Sequence, residues 1–181
     1  MTDALHGALR RANRIVALIL GVALLLTVAF ILTDVILRKF GWGSLGGSDE
    51  VSGYVMAAVA SWGLACALLD RAHVRIDVLR QKLAQPSQAA MDIFAMIVTN
   101  GVVLLIAWHC WPVLQKTLER GSRANTPLET PLWIPQGIWF SGWLWFALSA
   151  TLLSLIGIAH LAKGRRAEFD AAIGMGSELQ E

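Results

Sequence analysis

The chain has 181 residues, of which 56% are hydrophobic and 15% are charged, and its formal net charge is +2. This composition is typical of a membrane protein, and the small, scattered net charge with no nucleic-acid-binding motif excludes a nucleic-acid-binding function. Two cysteines are too few to define a disulfide framework, and no nucleotide-binding loop occurs in the chain.

The first apolar run follows a short polar segment, residues 1–14, in which Arg10, Arg11 and Arg14 are clustered. Residues 15–33 carry no formal charge, and this run is too long for the apolar region of a secretory signal. We therefore expect an uncleaved membrane-spanning helix at 15–33.

Asp34 and Arg38 follow, four residues apart and hence on one helix face. They form either an ion pair or two separate solvated charges at the membrane interface. The glycine-rich stretch 40–47, FGWGSLGG, predicts a tight turn with Trp42 near the headgroups. The first two spans are then an antiparallel hairpin.

The second span is predicted at 51–69, again without a formal charge. Ser48 is the expected N-cap, and Glu50 lies in the first turn, where the helix dipole favours a carboxylate. Tyr54 follows Glu50 by four residues and is expected to contact it, and both are expected to contact a partner subunit or lipid, although a plain N-terminal carboxylate is equally compatible with the sequence.

Small residues recur at every fourth position of this span and form a strip suited to close helix packing. The strip consists of Gly53, Ala57, Ser61 and Ala65. It serves either another protein or the other helices of this chain.

A polar cluster follows the second span and contains Arg71, His73, Arg75 and Asp77. On a helix these side chains diverge, so we do not expect a catalytic or metal site. Arg71 and Arg75, one turn apart, are expected to contact lipid phosphates or a carboxylate of a partner subunit, and His73 and Asp77 to form hydrogen bonds at the membrane exit.

Residues 72–85 place apolar side chains on one side, which predicts a short interfacial helix that Pro86 ends, with Ser87 capping the next helix. Two further spans are predicted at 92–112 and 132–161. The transmembrane domain then covers residues 15–162, and residues 163–181 form a cytoplasmic tail that we expect to be disordered.

The basic residues indicate the orientation of the spans. The two termini and the loop after the second span together hold ten Lys and Arg residues, and the other two loops hold five. Since cytoplasmic loops are enriched in Lys and Arg, both termini are predicted to be cytoplasmic.

The segment Gly63 to Asp77, together with Asp49-Glu50, Tyr54 and Thr130-Pro131-Leu132-Trp133, resembles the small, DctQ-like membrane subunit of tripartite ATP-independent periplasmic (TRAP) transporters. The likeness extends over about residues 10–165, although family members often have two glutamates where this chain has Asp49-Glu50. It implies a four-helix scaffold without a cofactor that associates with a large permease subunit and, through it, with a periplasmic solute-binding protein. The large subunit of the family carries the substrate and sodium.

The sequence therefore predicts an all-α protein of the bacterial inner membrane, a non-catalytic small subunit in organic acid uptake driven by a sodium or proton gradient. The alternative is a haem-binding four-helix cytochrome, but His109 and His160 fall at opposite ends of their spans and could not share one iron. A quinone-linked disulfide oxidoreductase would need cysteine pairs in the outer loops, which the chain does not have.

Overall fold

The computed structural model describes residues 2–70 and 85–173, and within these ranges the chain is helical with no strands. Its five helices are α1 (Thr2–Lys39), α2 (Ser48–Leu69), α3 (Gln85–Arg120), α4 (Trp133–Ala162) and α5 (Arg166–Ala172). The first four are long and apolar enough to cross a membrane. The predicted all-α class with four spans is therefore confirmed.

The helices extend beyond the predicted spans because the charge-free runs mark only their most apolar parts. The 38 residues of α1 correspond to about 57 Å, well beyond a hydrocarbon core of about 30 Å. The polar segment 1–14, which we expected to precede the first helix, is part of α1 from Thr2 onward. At the other end, α3 continues through Pro112 as far as Arg120.

The start of α3 corrects one prediction. We expected Pro86 to end a preceding interfacial helix and Ser87 to cap the next one, but α3 already begins at Gln85. Proline is tolerated there because the first turn of a helix has no intrahelical partner for its N–H. The remainder of the predicted interfacial helix, residues 72–84, lies outside the described residues.

The four long helices are arranged in a row. Helix α1 packs on α2, α2 packs on α4, and α4 packs on α3, with only slight contact between α1 and α4. In the most apolar window of α1, 6% of the residues are buried inside the chain, against 44% for α4. Helix α4 is therefore the centre of the row, and α1 lies at its edge.

Helices α2 and α4 approach each other closely at Gly142. A Cβ atom on Gly142 would lie 2.6 Å from Cδ1 of Trp62 and nearer still to the Ser61 hydroxyl. Ser61 is fully buried, and the Trp62 indole N–H donates a 3.0 Å hydrogen bond to the carbonyl of Ile138. The absence of a side chain at Gly142 allows this contact, as small residues commonly do between membrane helices.

Polar side chains also form hydrogen bonds between spans. The Trp145 indole N–H donates a 3.2 Å hydrogen bond to Oδ1 of the buried Asn13, which links α4 to α1. The Thr151 hydroxyl donates a 2.9 Å hydrogen bond to Oδ1 of Asn100, which links α4 to α3. In lipid such bonds favour association because the separated groups would find no water.

The C-terminal tail corrects a second prediction. We expected residues 163–181 to be disordered, but residues 166–172 form α5, which packs on α4. Phe169 and Ile173 are buried, and Ile173 lies so close to Gly157 that a Cβ there would overlap its Cδ1 atom. The apolar spacing i, i+4 gives this short helix one buried face. Residues 174–181 lie outside the described residues.

Candidate functional site

Two buried carboxylates, Asp34 and Glu50, lie at one end of the helix row. Here the turn 40–47 between α1 and α2 meets the loop 121–132 between α3 and α4, and we call this the loop end. The opposite end, with the start of α1 and with α5, is the terminal end. Helices α2 and α4 both run from the loop end to the terminal end.

Asp34 is the central acceptor of the turn at the loop end, and it is 1% exposed. Its Oδ1 atom accepts hydrogen bonds of 2.8 Å from the Ser44 hydroxyl and from the backbone N–H of Leu45. Its Oδ2 atom accepts one of 2.9 Å from the Ser48 hydroxyl and pairs with the Arg38 guanidinium. The ion-pair alternative for Asp34 and Arg38 is therefore the one that is observed.

Ser48 does not have the capping role that we expected. It is the first residue of α2, the N-cap is Gly47, and no side-chain hydrogen bond caps the helix. The Ser48 hydroxyl is instead directed to Asp34. A buried carboxylate competes for the hydroxyl because hydrogen bonds to charged acceptors are stronger than those to neutral ones.

Glu50 lies two residues further along α2 and is also buried. The Tyr54 hydroxyl donates a 2.5 Å hydrogen bond to its Oε1 atom, so the predicted contact between these two residues is present. Thr126, Thr130 and the backbone N–H of Leu128 also face the carboxylate. Its Oε2 atom is buried without a partner at normal hydrogen-bond geometry among the described residues. Glu50 therefore holds the loop 121–132 against the start of α2.

The same loop packs on the turn between α1 and α2. Gly47 has φ of 71°, and a Cβ atom there would lie 2.5 Å from Cδ1 of Leu128. Both the left-handed backbone and the close approach favour glycine at this position. Asp34 and Glu50 thus lie on either side of a contact in which the turn 40–47 and the loop 121–132 hold four helix ends together.

The small-residue strip divides into two halves. Ser61 and Ala65, toward the terminal end, are fully buried, and Ser61 lies in the close contact with α4. Gly53, toward the loop end, is exposed, and a Cβ there would meet nothing within 4 Å. Ala57 lies between them and is half-buried. One half of the strip therefore packs inside the chain, and the other half is open.

A family model for tripartite ATP-independent periplasmic transporters, DctQ component, matches residues 27–164. The chain belongs to the DctQ family. It is thus the small membrane component of a TRAP transporter, a multi-pass membrane protein that works with other components of a tripartite system. No curated protein and no solved structure matches the chain.

The DctQ match includes the polar cluster after the second span, but its predicted contact residues, Arg71, His73, Arg75 and Asp77, lie outside the described residues. Their contact role stays a prediction. The first described range of this DctQ chain ends at Asp70. The backbone N–H of Asp70 caps the carbonyls of Cys66 and Leu68. The sequence resemblance located the cluster, but it gave no indication of the loop contacts of Glu50.

The histidines of the DctQ chain do not favour the cytochrome alternative. His109 lies on α3, with Nδ1 2.8 Å from the carbonyl of Leu105 in the preceding turn. His160 lies two residues before the terminal end of α4, roughly 20 Å further from the loop end than His109 by helix rise. In the described ranges, neither belongs to a group of three or more His, Cys, Asp or Glu side chains that could hold a metal ion.

Asp34 and Glu50 are both buried carboxylates, and the groups around them indicate their role. The groups around Asp34 are hydrogen-bond donors and one guanidinium, and those facing Glu50 are hydroxyls and a backbone N–H. Donors of this kind stabilise a fixed carboxylate and leave few oxygen atoms for a cation. The loop end is therefore an arrangement that positions helices.

Proposed function

We propose that this chain is the non-catalytic scaffold of its TRAP transporter, bound to a large permease subunit in the bacterial inner membrane. The transporter takes up organic acids with a sodium or proton gradient, and the large subunit carries both substrate and ion. The small subunit holds the large one in the bilayer and contacts the periplasmic solute-binding protein only through the complex.

The open helix row is the observation that carries this proposal. Because α1 packs mainly on α2, most of its surface is exposed in the isolated chain. A row of helices also encloses no central passage of the kind that a solute or ion would need. Such a chain offers broad lateral surfaces to a neighbouring membrane protein, as a scaffold requires.

The charged groups of the spans support the same interpretation. Ionisable residues inside membrane spans usually line substrate or ion paths. Asp34 and Glu50 lie within candidate spans, yet both are bound by the turn and the loop at the helix ends. These contacts with the turn and the loop explain the burial of both carboxylates through folding.

We place the partner surface on two regions of α2. The first is the exposed half of the strip at Gly53, where the backbone of another helix would find open space. The second is the polar cluster Arg71, His73, Arg75 and Asp77 after the helix. Glu50 and Tyr54 contribute to this surface indirectly, by fixing the loop 121–132 against the start of α2.

The distribution of basic residues favours cytoplasmic termini, which puts the loop end in the periplasm. The solute-binding protein would then approach the complex from the side of the loop 121–132. The terminal end, with α5, would lie in the cytoplasm.

Co-purification tests the proposal directly. The tagged chain is expressed together with the large permease from the same operon, and the complex is isolated in mild detergent. We expect a stoichiometric complex that survives size-exclusion chromatography. A chain that elutes alone, with the permease active and stable without it, would contradict the scaffold role.

A further inference from the structure

An open groove runs between the start of α3 and the end of α4 at the terminal end. Its volume is about 700 Å³. Its wall includes Ala90, Ile93, Phe94, Ile97, Leu161 and Arg166.

The α3 wall of the groove is apolar and exposed. Phe94 is 66% exposed and Ile97 is 54% exposed. From Ala90 to Ile97 the wall runs for about 10 Å along the helix, from the interface toward the middle of the bilayer. This wall therefore has the direction and the chemistry of a site for a lipid chain.

Arg166 lies at the polar mouth of the same groove. It is exposed, and within residues 2–70 and 85–173 its guanidinium has no ion pair or side-chain hydrogen bond. The adjacent Arg165 differs, because its Nη1 atom lies 3.7 Å from Oε1 of Glu168. Arg165 is thus engaged within the chain, whereas the neighbouring Arg166 is available to a ligand.

A smaller pocket of about 140 Å³ lies on the other side of Arg166 and contains Asp170. A carboxylate there would repel an anion. An anionic group bound to Arg166 is therefore expected on the side of Ala90, where the wall is apolar and uncharged.

We propose that this groove binds one phospholipid, with an acyl chain along Ala90 to Ile97 and the phosphate on Arg166. A guanidinium binds phosphate with paired, charge-assisted hydrogen bonds, which a lipid at an ordinary apolar helix face would not have. The bound lipid would cover the wedge between α3, α4 and the start of α5. The inference does not depend on the transport role, since it concerns a contact between this chain and lipid.

Photo-crosslinking in membranes tests the site. Phe94 is replaced by p-benzoylphenylalanine in the full chain, cells are illuminated, and the purified chain is measured by intact mass spectrometry. The expected product is an adduct with the mass of a phospholipid. Arg166→Gln should reduce this adduct roughly ten-fold, the usual value of a charged hydrogen-bonded contact.

Two controls separate a bound lipid from the surrounding bilayer. Arg165→Gln, one residue away, should leave the adduct unchanged because Arg165 is directed to Glu168. The same crosslinker at Leu18, which is 69% exposed on α1, should give lipid adducts that Arg166→Gln does not reduce.

Filling the groove gives an independent test. Ala90 is exposed, so Ala90→Phe should be tolerated by the fold and should displace the acyl chain, which reduces the adduct at Phe94. Equal adduct yields in wild type, Arg166→Gln and Ala90→Phe would overturn the proposal. An adduct of protein mass at Phe94 would also overturn it, because the groove would then be covered by a partner subunit.

Discussion

The hydroxyl of Ser48 donates a 2.9 Å hydrogen bond to Oδ2 of Asp34, which ties the first residue of α2 to the last turns of α1. The same carboxylate also binds Ser44 and the backbone of Leu45. One side chain thus fixes the turn 40–47, and through Gly47 this turn positions the loop 121–132. The geometry of the loop end depends on these contacts.

Replacing Asp34 should therefore weaken the hairpin of α1 and α2. Asp34→Ala leaves buried donors at Ser44, Leu45 and Ser48 without their acceptor, and we expect it to lower the free energy of unfolding by about 3 kcal/mol. Asp34→Asn keeps one acceptor oxygen and should lower the free energy of unfolding by less. Thermal unfolding in detergent measures the loss, followed with a thiol-reactive dye that reports exposure of the buried Cys110 in a Cys66→Ser background, since Cys66 is only partly buried.

The matched control for Asp34 is Asp49→Asn, because Asp49 is exposed at the start of α2. It should melt like wild type. If Asp34→Ala also melted like wild type, the carboxylate would not hold the turn.

Gly47→Ala should destabilise the loop end for two separable reasons. The left-handed backbone costs an alanine about 1–2 kcal/mol, and the new methyl group would collide with Leu128. Gly41→Ala isolates the first cost, because Gly41 has φ of 70° and open space around it. The melting temperature should fall further for Gly47→Ala than for Gly41→Ala.

The double variant Gly47→Ala with Leu128→Ala should recover the part of the loss that comes from the collision. Melting temperatures of the two single variants and the double variant form the required cycle. Strictly additive losses would show that the turn and the loop do not pack on each other as described.

Glu50 should control the attachment of the loop 121–132. Glu50→Ala removes the acceptor for Tyr54 and the group that Thr126 and Thr130 face, so the loop should open more often. Trypsin cleavage after Arg123 should become roughly ten-fold faster, because proteolysis follows the population of the open form. Limited digestion of the purified chain measures this rate, with Asp49→Asn as the control. Unchanged cleavage would remove Glu50 from the loop attachment.

The two halves of the small-residue strip should respond differently to a large side chain. Gly53→Leu meets open space, so the isolated chain should keep its melting temperature but lose the large permease on co-purification. Ser61→Leu should destabilise the chain itself, because Ser61 is fully buried against α4. Met56→Leu, at a position that is 60% exposed, is the control for a bulky exposed residue. A Gly53→Leu chain that still binds the permease would move the partner surface elsewhere.

The four spans could be predicted from the sequence because a long charge-free run has few alternatives in a bilayer. The exact helix ends could not be predicted. Polar residues, such as those before Arg14, can continue a helix outside the lipid, and no run of apolar residues then marks where the helix begins or ends. Helix α5 was missed for a related reason. Its seven residues are too few for one apolar pair, Phe169 and the following Ile173, to predict a helix, and the space that Gly157 leaves for Ile173 is not visible in the sequence.

The contacts at the loop end show a second limit of sequence reasoning. The pairs Asp34–Arg38 and Glu50–Tyr54 could be predicted from the sequence because the members of each pair are four residues apart on one helix. The contacts of Glu50 with the loop 121–132 join positions more than seventy residues apart, so no local spacing in the sequence could predict them. Ser48 was assigned as a cap by a local rule, whereas a buried carboxylate fourteen residues earlier binds its hydroxyl.

Reconstitution in liposomes tests the scaffold role most directly. The purified chain is placed in liposomes alone or together with the large permease, with solute-binding protein and labelled organic acid outside, and a sodium or proton gradient is imposed. We predict gradient-dependent uptake only where the large permease is present. Uptake by vesicles that contain this chain alone would contradict the account.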